Sequence, residues 1–452
     1  MGKLFGTDGI RGKAGEYPMN AEIAERTGRA IARFFTETDG PSKILIGRDT
    51  RESGPMLESA LVEGIGAVGA DAALAGVLPT PGIAYLASTL KASAGIVISA
   101  SHNPFYDNGI KIFNGDGYKL SDEVEAAIEN MILESGSKGD VGSVAKKGKV
   151  TDESGQARNY FTFLANALSP DISFKTLKII LDCANGATHS MAPELFSELG
   201  ASVEALSIKP NGKNINDGCG SEHPEYLIER VLSSAADLGL AFDGDGDRLI
   251  AVDEKGEILS GDQILAICAR DLKQKGRLKN NIAVSTVMSN MGLGVALKKM
   301  GIHHEVSAVG DRYVMEKMMA CGAVLGGEDS GHMIFGEDHT SGDGILTALK
   351  LIEALLSANT NLSDLRGIMA VYPQVLVNVE VKSKPELGSV PAIADAVKSV
   401  ESELGDRGRV LVRYSGTQPL CRVMVEGPNE AETQRYCNQL SDIIKKSIGL
   451  ED

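Results

Sequence analysis

In DGDGDR, residues 243–248, aspartates alternate with other residues in a spacing that can turn Asp243, Asp245 and Asp247 onto one cation. Carboxylate oxygens select a hard ion, Mg²⁺ or Ca²⁺. Three other readings compete with a metal site. An EF-hand loop would use Asp243, Asp245, Asp247 and Glu254, but its sixth position needs Gly and holds Arg248. A haloacid-dehalogenase DxDG motif would make Asp243 a nucleophile, yet the continuation Asp247-Arg248 does not match its usual ending. A plain acidic turn leaves three carboxylates repelling one another. The metal site is the preferred reading.

Three further loops hold reactive side chains. SASHNP, residues 99–104, puts the Ser101 hydroxyl beside the His102 imidazole. No GxSxG elbow surrounds it, so no hydrolase triad is legible. Ser101 as a phosphate carrier, with Lys111 downstream to neutralise charge, stands against a simple polar turn. GGEDSGH, residues 326–332, offers Glu328, Ser330 and His332 to grip sugar hydroxyls or move a proton. RYSGTQP, residues 413–419, brings Arg413, Ser415 and Thr417 near Arg422, as a phosphate cradle requires. A hairpin is the alternative there.

The elements that position these loops follow one plan three times. A β-rich apolar run, a helical stretch and a second apolar run end in a Gly- and charge-rich loop. The instances run from KILIGRDTR (43–51) to AGIVISASHNP (94–104), from LKIILDCANG (177–186) to LGLAFDGDGDR (238–248), and from NIAVSTVMSN (281–290) to GAVLGGEDSGH (322–332). Continuous apolar runs suit strands covered on both faces, and strands alternating with helices imply α/β domains with largely parallel sheets. Loops at the ends of such strands are where ligands sit. After about residue 370 the pattern changes to alternating strands and two helices, an α+β domain with an antiparallel sheet. The expected domains span residues 1–153, 154–254, 255–369 and 370–452, around one central cleft.

The 452 residues are 43% hydrophobic and 23% charged, an ordinary globular composition that excludes disorder. Against 45 Lys and Arg stand 61 Asp and Glu, a formal net charge of −16. That excludes bulk attraction to nucleic acid or anionic membrane, and an anionic ligand needs a local cationic pocket. Residues 64–88 come nearest to a membrane span, but Asp71, Pro79 and Pro81 interrupt them. The first ten residues hold no signal-peptide core, and the six cysteines form no CxxC pair, so reduced thiols and a cytoplasmic location are expected.

The motifs FGTDGIRG (5–12), GRDTR (47–51), SASHNPFYDNGIKIF (99–113), NGKNINDGCGSEHPE (211–225), AFDGDGDR (241–248), VGDRYVMEKM (309–318), GGEDSGH and RYSGTQPLCRV (413–423) resemble the α-D-phosphohexomutase superfamily over essentially the whole chain. Within it, the chain is most similar to the branch that interconverts glucosamine 6-phosphate and glucosamine 1-phosphate. The resemblance implies three similar α/β domains and a TATA-box-protein-like fourth. It implies phosphorylated Ser101, and one Mg²⁺ held by Asp243, Asp245, Asp247 and a phosphoserine oxygen. Arg11, His102, Lys111 and Arg248 would surround the transferring phosphoryl group. Glu328, Ser330 and His332 would hold the sugar, and Arg413, Ser415, Thr417 and Arg422 the phosphate that is not reacting. A hexose bisphosphate activator, a role in amino-sugar biosynthesis and a monomer or homodimer are further implications. Two positions depart from the pattern: Asp329 stands where Gln or Met is common, and Gln418 where Glu is usual. A phosphomannomutase/phosphoglucomutase is the nearest alternative. A haloacid-type phosphohydrolase and a non-catalytic sugar-phosphate sensor are alternatives of another class.

Overall fold

Residues that are apolar without interruption become the centres of the sheets. The computed structural model describes residues 4–6, 8–39, 42–134, 147–415 and 419–450. The chain divides into two units, Met1–Met288 with Gly301–Ile368, and Ser289–Met300 with Met369–Asp452.

The first unit holds three sheets. The first contains β1 (Phe5–Gly6), β2 (Gly9–Lys13), β3 (Lys43–Arg48), β4 (Asp71–Val77), β5 (Ala94–Ile98), β6 (Asp107–Asn114) and β7 (Val150–Asp152), in the order β1-β2-β6-β5-β3-β4-β7. Its helices are α1 (Ala21–Asp39), α2 (Gly54–Ala67), α3 (Thr80–Thr89) and α4 (Asp122–Glu134). Helices α1 and α2 cross at glycines: a Cβ on Gly28 would stand 2.3 Å from the Leu61 carbonyl, and one on Gly64 1.9 Å from that of Glu25. No larger residue allows that approach.

After α5 (Ala157–Asn166), the second sheet holds β8 (Lys178–Asp182), β9 (Ser202–Leu206), β10 (Leu238–Phe242), β11 (Leu249–Asp253) and β12 (Ile258–Leu259), in the order β12-β11-β10-β8-β9, with α6 (Met191–Glu198) and α7 (Glu225–Ser234). The third follows α8 (Gly261–Gln274). It orders β13 (Ile282–Thr286), β14 (His303–Ser307), β15 (Leu325–Gly327) and β16 (Met333–Phe335) as β14-β13-β15-β16. Helix α9 (Met291–Lys299), between β13 and β14, belongs to the second unit. Helices α10 (Asp311–Cys321), α11 (Gly344–Ala358) and α12 (Leu362–Arg366) complete the third domain.

The threefold plan read from the sequence is a threefold topology. Strands β3 and β5, β8 and β10, and β13 and β15 are parallel neighbours. In each sheet a parallel strand lies outside the first of the pair (β4, β9, β14). An antiparallel partner lies beside the second (β6, β11, β16). The parallel pairs are as expected; the antiparallel edges make each sheet mixed. SASHNP, DGDGDR and GGEDSGH leave equivalent strands, β5, β10 and β15, and each leads into the antiparallel partner.

Residues 339–344 stitch these sheets together. The His339 ring donates from Nε2 to the Pro81 carbonyl at 3.0 Å, and Thr340 Oγ1 donates to the Gly117 carbonyl at 2.7 Å. Asp343 accepts from the Tyr160 hydroxyl at 2.7 Å while capping α11 through the Leu346 amide. The Gly344 amide bonds to the Gly246 carbonyl at 2.9 Å.

In the second unit, β17 (Gln374–Glu380), β18 (Arg409–Tyr414) and β19 (Leu420–Glu426) form the sheet β17-β19-β18. It is antiparallel throughout, as expected. Helices α13 (Pro391–Leu404) and α14 (Glu430–Ile448) supply Ile393, Val400, Leu440 and Ile444 to a core with Val423 and Val425. No helix among the described residues is long and apolar enough to cross a membrane, and the six cysteines are unpaired.

Candidate active site

Ser101 lies in the turn three residues beyond β5, a strand buried along its whole length, and its own backbone takes φ +53°. A left-handed serine is unusual, and several bonds hold it. Its amide donates to Ser99 Oγ at 2.9 Å, and Ser99 Oγ donates to Asp49 at 2.6 Å. The Ser101 carbonyl accepts from Arg51 Nη2 and from Asn216 Nδ2, both at 2.9 Å. Arg51 is 1% exposed; it pairs with Asp49 at 2.8 Å and also donates to the Asn103, Pro104 and Asp107 carbonyls. Arg51, Asp49 and Asn216 therefore build the serine loop. Their types sit in motifs noted in the sequence, but no spacing there gives them this task.

The held Ser101 hydroxyl donates to Asp243 Oδ2 at 2.5 Å, across 142 residues of chain. His102 Nδ1 lies 3.3 Å from Ser101 Oγ. Burial, with Arg248 adding to it, lowers the His102 pKa below the usual imidazole range, so the ring is neutral at pH 7. The loops can meet because Gly244 packs against the Ser101 carbonyl, where a Cβ would come within 2.6 Å.

Asp243, Asp245 and Asp247 are buried, and each has a carboxylate oxygen within 4.8 Å of the others'. The expected convergence is present. Burial, then Asp247 and Asp245, pushes the Asp243 carboxyl well above its ordinary range, the mark of like charges forced together. Asp245 Oδ1 and Asp247 Oδ1 are buried without a hydrogen-bond partner among the described residues. All-oxygen donors with unspent lone pairs fit a hard divalent ion. Thr80 steadies the loop through the Asp245 carbonyl, at 2.8 Å, and its carboxylate.

Cationic groups converge on the same place. Lys111 Nζ lies 2.8 Å from Asp245, 3.1 Å from Asp247 and 3.3 Å from Asp8. Burial opposes its charge, but those carboxylates hold its pKa well above the ordinary lysine range. Arg11 pairs with Asp8 and reaches the Ala100 carbonyl at 3.4 Å. Arg248 stands 3.9 Å from both Glu222 and Asp247, which leaves its guanidinium available to an anion. His332 Nδ1 is 3.8 Å from Asp247. Its Nε2 has the Gly342 amide at 3.1 Å and Asp311 at 3.4 Å; a neutral ring accepts from the first, and a protonated ring donates to the second. Glu328 accepts from the Gly310 amide at 3.0 Å, and burial raises its carboxyl. Ser330 is exposed at the loop tip beside Asp329.

In the second unit, Arg413 and Arg422 lie directly opposite one another on β18 and β19. Burial and then Arg422 depress the Arg413 pKa. Like charges so placed repel, and an anion between them reverses the sign. Arg422 Nε is buried without a hydrogen-bond partner among the described residues, and Ser415 lies just beyond β18. Thr417 and Gln418 lie outside the described residues. Asp8, Lys119 and Asp311, linked to DGDGDR through Lys111 and His332, are neighbours of the candidate site that the sequence did not single out.

The chain is similar to known proteins along nearly all of its length. Phosphoglucomutase/phosphomannomutase alpha/beta/alpha domain I matches residues 2–138, domain II residues 158–256, domain III residues 260–372, and the C-terminal domain residues 376–443. The phosphoglucosamine mutase of Syntrophus aciditrophicus is 56% identical over 449 residues, covering 99% of this chain and 100% of that one. That of Syntrophobacter fumaroxidans is 55% identical over 456 residues, with the same coverage. Among solved structures, a phosphoglucomutase/phosphomannomutase family protein from Burkholderia thailandensis has a TM-score of 0.80 at 25% identity, over 98% of this chain and 99% of that one. The Aspergillus fumigatus N-acetylphosphoglucosamine mutase, solved with GlcNAc-6P and magnesium, has a TM-score of 0.71 at 17% identity, over 98% and 96%; that likeness is one of fold.

Proposed function

The chain belongs to the phosphoglucomutase/phosphomannomutase family, and on that premise we propose that it interconverts glucosamine 6-phosphate and glucosamine 1-phosphate through a phosphate carried on Ser101. The observation that carries the reading is the buried Ser101 hydroxyl, held in a left-handed turn and bonded to the first aspartate of the triad. A hydrolase nucleophile at Asp243 is disfavoured because that carboxylate accepts the Ser101 hydrogen bond.

A phosphate on Ser101 brings about −1.5 to −2 charges into the cluster. Asp243, Asp245 and Asp247 would hold Mg²⁺, which when bound supplies positive charge against phosphoryl oxygens. The chain's own cations do the rest. Arg11, Lys111 and Arg248 neutralise the three equatorial oxygens as the phosphoryl group passes in line between two oxygens. The free hydroxyl of the sugar phosphate forms the new P–O bond as the bond to Ser101 Oγ breaks, and the hydroxyl proton ends on Ser101 Oγ. The bisphosphorylated sugar then turns over, and its other phosphate returns to Ser101 Oγ as its bond to the sugar oxygen breaks, the serine proton passing to that oxygen by way of a neighbouring acceptor such as neutral His102. Glu328, Ser330 and His332 are assigned to the sugar hydroxyls, and Arg413, Ser415, Thr417 and Arg422 to the idle phosphate. Residues 1–153, 154–254, 255–369 and 370–452 are assigned to phosphoserine, metal, sugar and idle phosphate in turn.

The test is a side-by-side isomerisation assay of glucosamine, glucose and mannose phosphates, with phosphopeptide mapping. Glucosamine phosphate should turn over most efficiently, chelation should stop turnover until Mg²⁺ is returned, and phosphate should map to Ser101. Higher efficiency on mannose 1-phosphate would overturn the substrate assignment. Phosphate on Asp243, with inorganic phosphate released as fast as isomer forms, would overturn the mutase itself.

A further inference from the structure

Three charged residues with no role above form a bracket behind the metal loop. Lys119 Nζ lies 2.5 Å from Asp8 Oδ1 and 2.5 Å from Asp311 Oδ2. Asp8 Oδ2 continues to Lys111 Nζ at 3.3 Å, and Asp311 Oδ2 to His332 Nε2 at 3.4 Å. Lys111 and His332 meet on Asp247 Oδ2, at 3.1 and 3.8 Å. The six side chains close a ring in which acids and bases alternate. Asp8, Lys111 and Lys119 come from the first α/β segment, Asp247 from the second, Asp311 and His332 from the third.

We propose that Asp8, Lys119 and Asp311 are positioning residues that set the separation of Lys111 and His332 where these face Asp247. The geometry supports this over a purely structural role for three reasons. Lys119 touches neither Ser101 nor the three aspartates, so its action on the chemistry passes through its two acids. Its side chain is 13% exposed, where a long flexible amine is held only by strong partners. Each acid also touches a group that faces Asp247, Asp8 reaching Lys111 and Asp311 reaching His332. Asp8 also holds Arg11, so one carboxylate orients two of the cations assigned to the phosphoryl group. Without the bracket, Lys111 keeps only Asp245 and Asp247 as anchors and is drawn toward them, away from incoming substrate.

The proposal rests on the mutase reading, and a double-mutant cycle separates the two. Lys119→Met should lower kcat about tenfold or more, as misplacement by about an ångström does, with KM for glucosamine phosphate changed less than about threefold. Lys119→Arg, which can still pair with both acids, should recover most of the loss. Single-turnover phosphoryl transfer from hexose bisphosphate to Ser101, measured in both backgrounds, should lose clearly less on Lys119→Met when Lys111 is already Gln than when it is Lys, because one of the groups that the bracket positions is then gone. Lys119→Gln goes through the same cycle, so poor accumulation of one variant leaves the criterion intact. Equal losses in both backgrounds, or an unchanged kcat for Lys119→Gln, would overturn the bracket while leaving a working mutase. A wild-type chain that isomerises no hexose phosphate would overturn the function itself.

Discussion

Replacing Arg51 by methionine should loosen the serine loop more than any single change at its surface. The guanidinium is buried, pairs with Asp49, and donates to the carbonyls of Ser101, Asn103, Pro104 and Asp107. Removing one partner of a buried pair costs about 3–5 kcal/mol. The carbonyls add less, since those of Ser101 and Asn103 keep Asn216 Nδ2 and that of Pro104 keeps the Asp107 amide. Asp49 keeps Ser99, and burial already raises its carboxyl, so protonation limits the loss. About 4 kcal/mol is the working figure for Arg51→Met. Arg51→Lys retains the charge but not the fork, and about 2 kcal/mol is expected.

A multidomain chain does not unfold in one step, so the measurement should be local. Amide exchange in β3 and β5 should accelerate by roughly a thousandfold in Arg51→Met, at about 1.4 kcal/mol per factor of ten. Exchange in β17 and β19 of the second unit should stay as in the wild type. If both variants exchange within fivefold of wild type in β5, Arg51 is not what holds the loop.

Two further outcomes are expected. Burial lowers the His339 pKa to about 4 from its ordinary value near 6.5, so its stabilisation is fully present above pH 6.5 and is lost as pH falls toward 4. The local stability of α11 relative to His339→Gln, read by amide exchange at stepped pH against intrinsic rates, should fall by roughly 3 kcal/mol across that window; a flat difference would show that the His339 ring does not titrate with the fold. In the second unit, Arg413→Ala should raise KM for sugar phosphate roughly tenfold or more, the worth of a charge-assisted bond. An unchanged KM would reduce RYSGTQP to a hairpin.

What the sequence revealed and what it hid divide along one line. Runs such as Ile96–Ile98 and Leu238–Phe242 are apolar at every position, and only a strand covered on both faces suits that. The parallel pairs and the loops that leave them were therefore legible, as was the aspartate triad, whose ligands lie within five residues. The antiparallel partners were not. The chain between β5 and β6 is a long loop around Ser101 rather than a two-residue turn, so it carries no hairpin signal. Roles that depend on distant contacts were hidden for the same reason. Asp8 and Lys119 are 111 residues apart and Lys119 and Asp311 still further, and no local pattern announces that they meet. Arg51 and Asn216 stood in motifs whose composition marks them, but only tertiary structure shows both reaching the Ser101 carbonyl.

The charge around the triad explains why so much ionisable surface is buried at all. Asp8, Asp243, Asp245, Asp247 and Asp311 face Arg11, Lys111, Lys119 and Arg248, with His332 able to supply the remaining positive charge. That set is close to neutral by itself. A serine phosphate of about −2 and a divalent ion of +2 cancel each other, so the set stays close to neutral when both are present. Either one alone leaves roughly two uncompensated charges in a poorly solvated place, where each is costly. On the proposed function the site therefore favours the two together, and by linkage a phosphate on Ser101 would raise the affinity of the triad for the divalent ion. On that same function, the buried carboxylates, destabilising as a group, would make the site that holds both phosphate and divalent ion the balanced one.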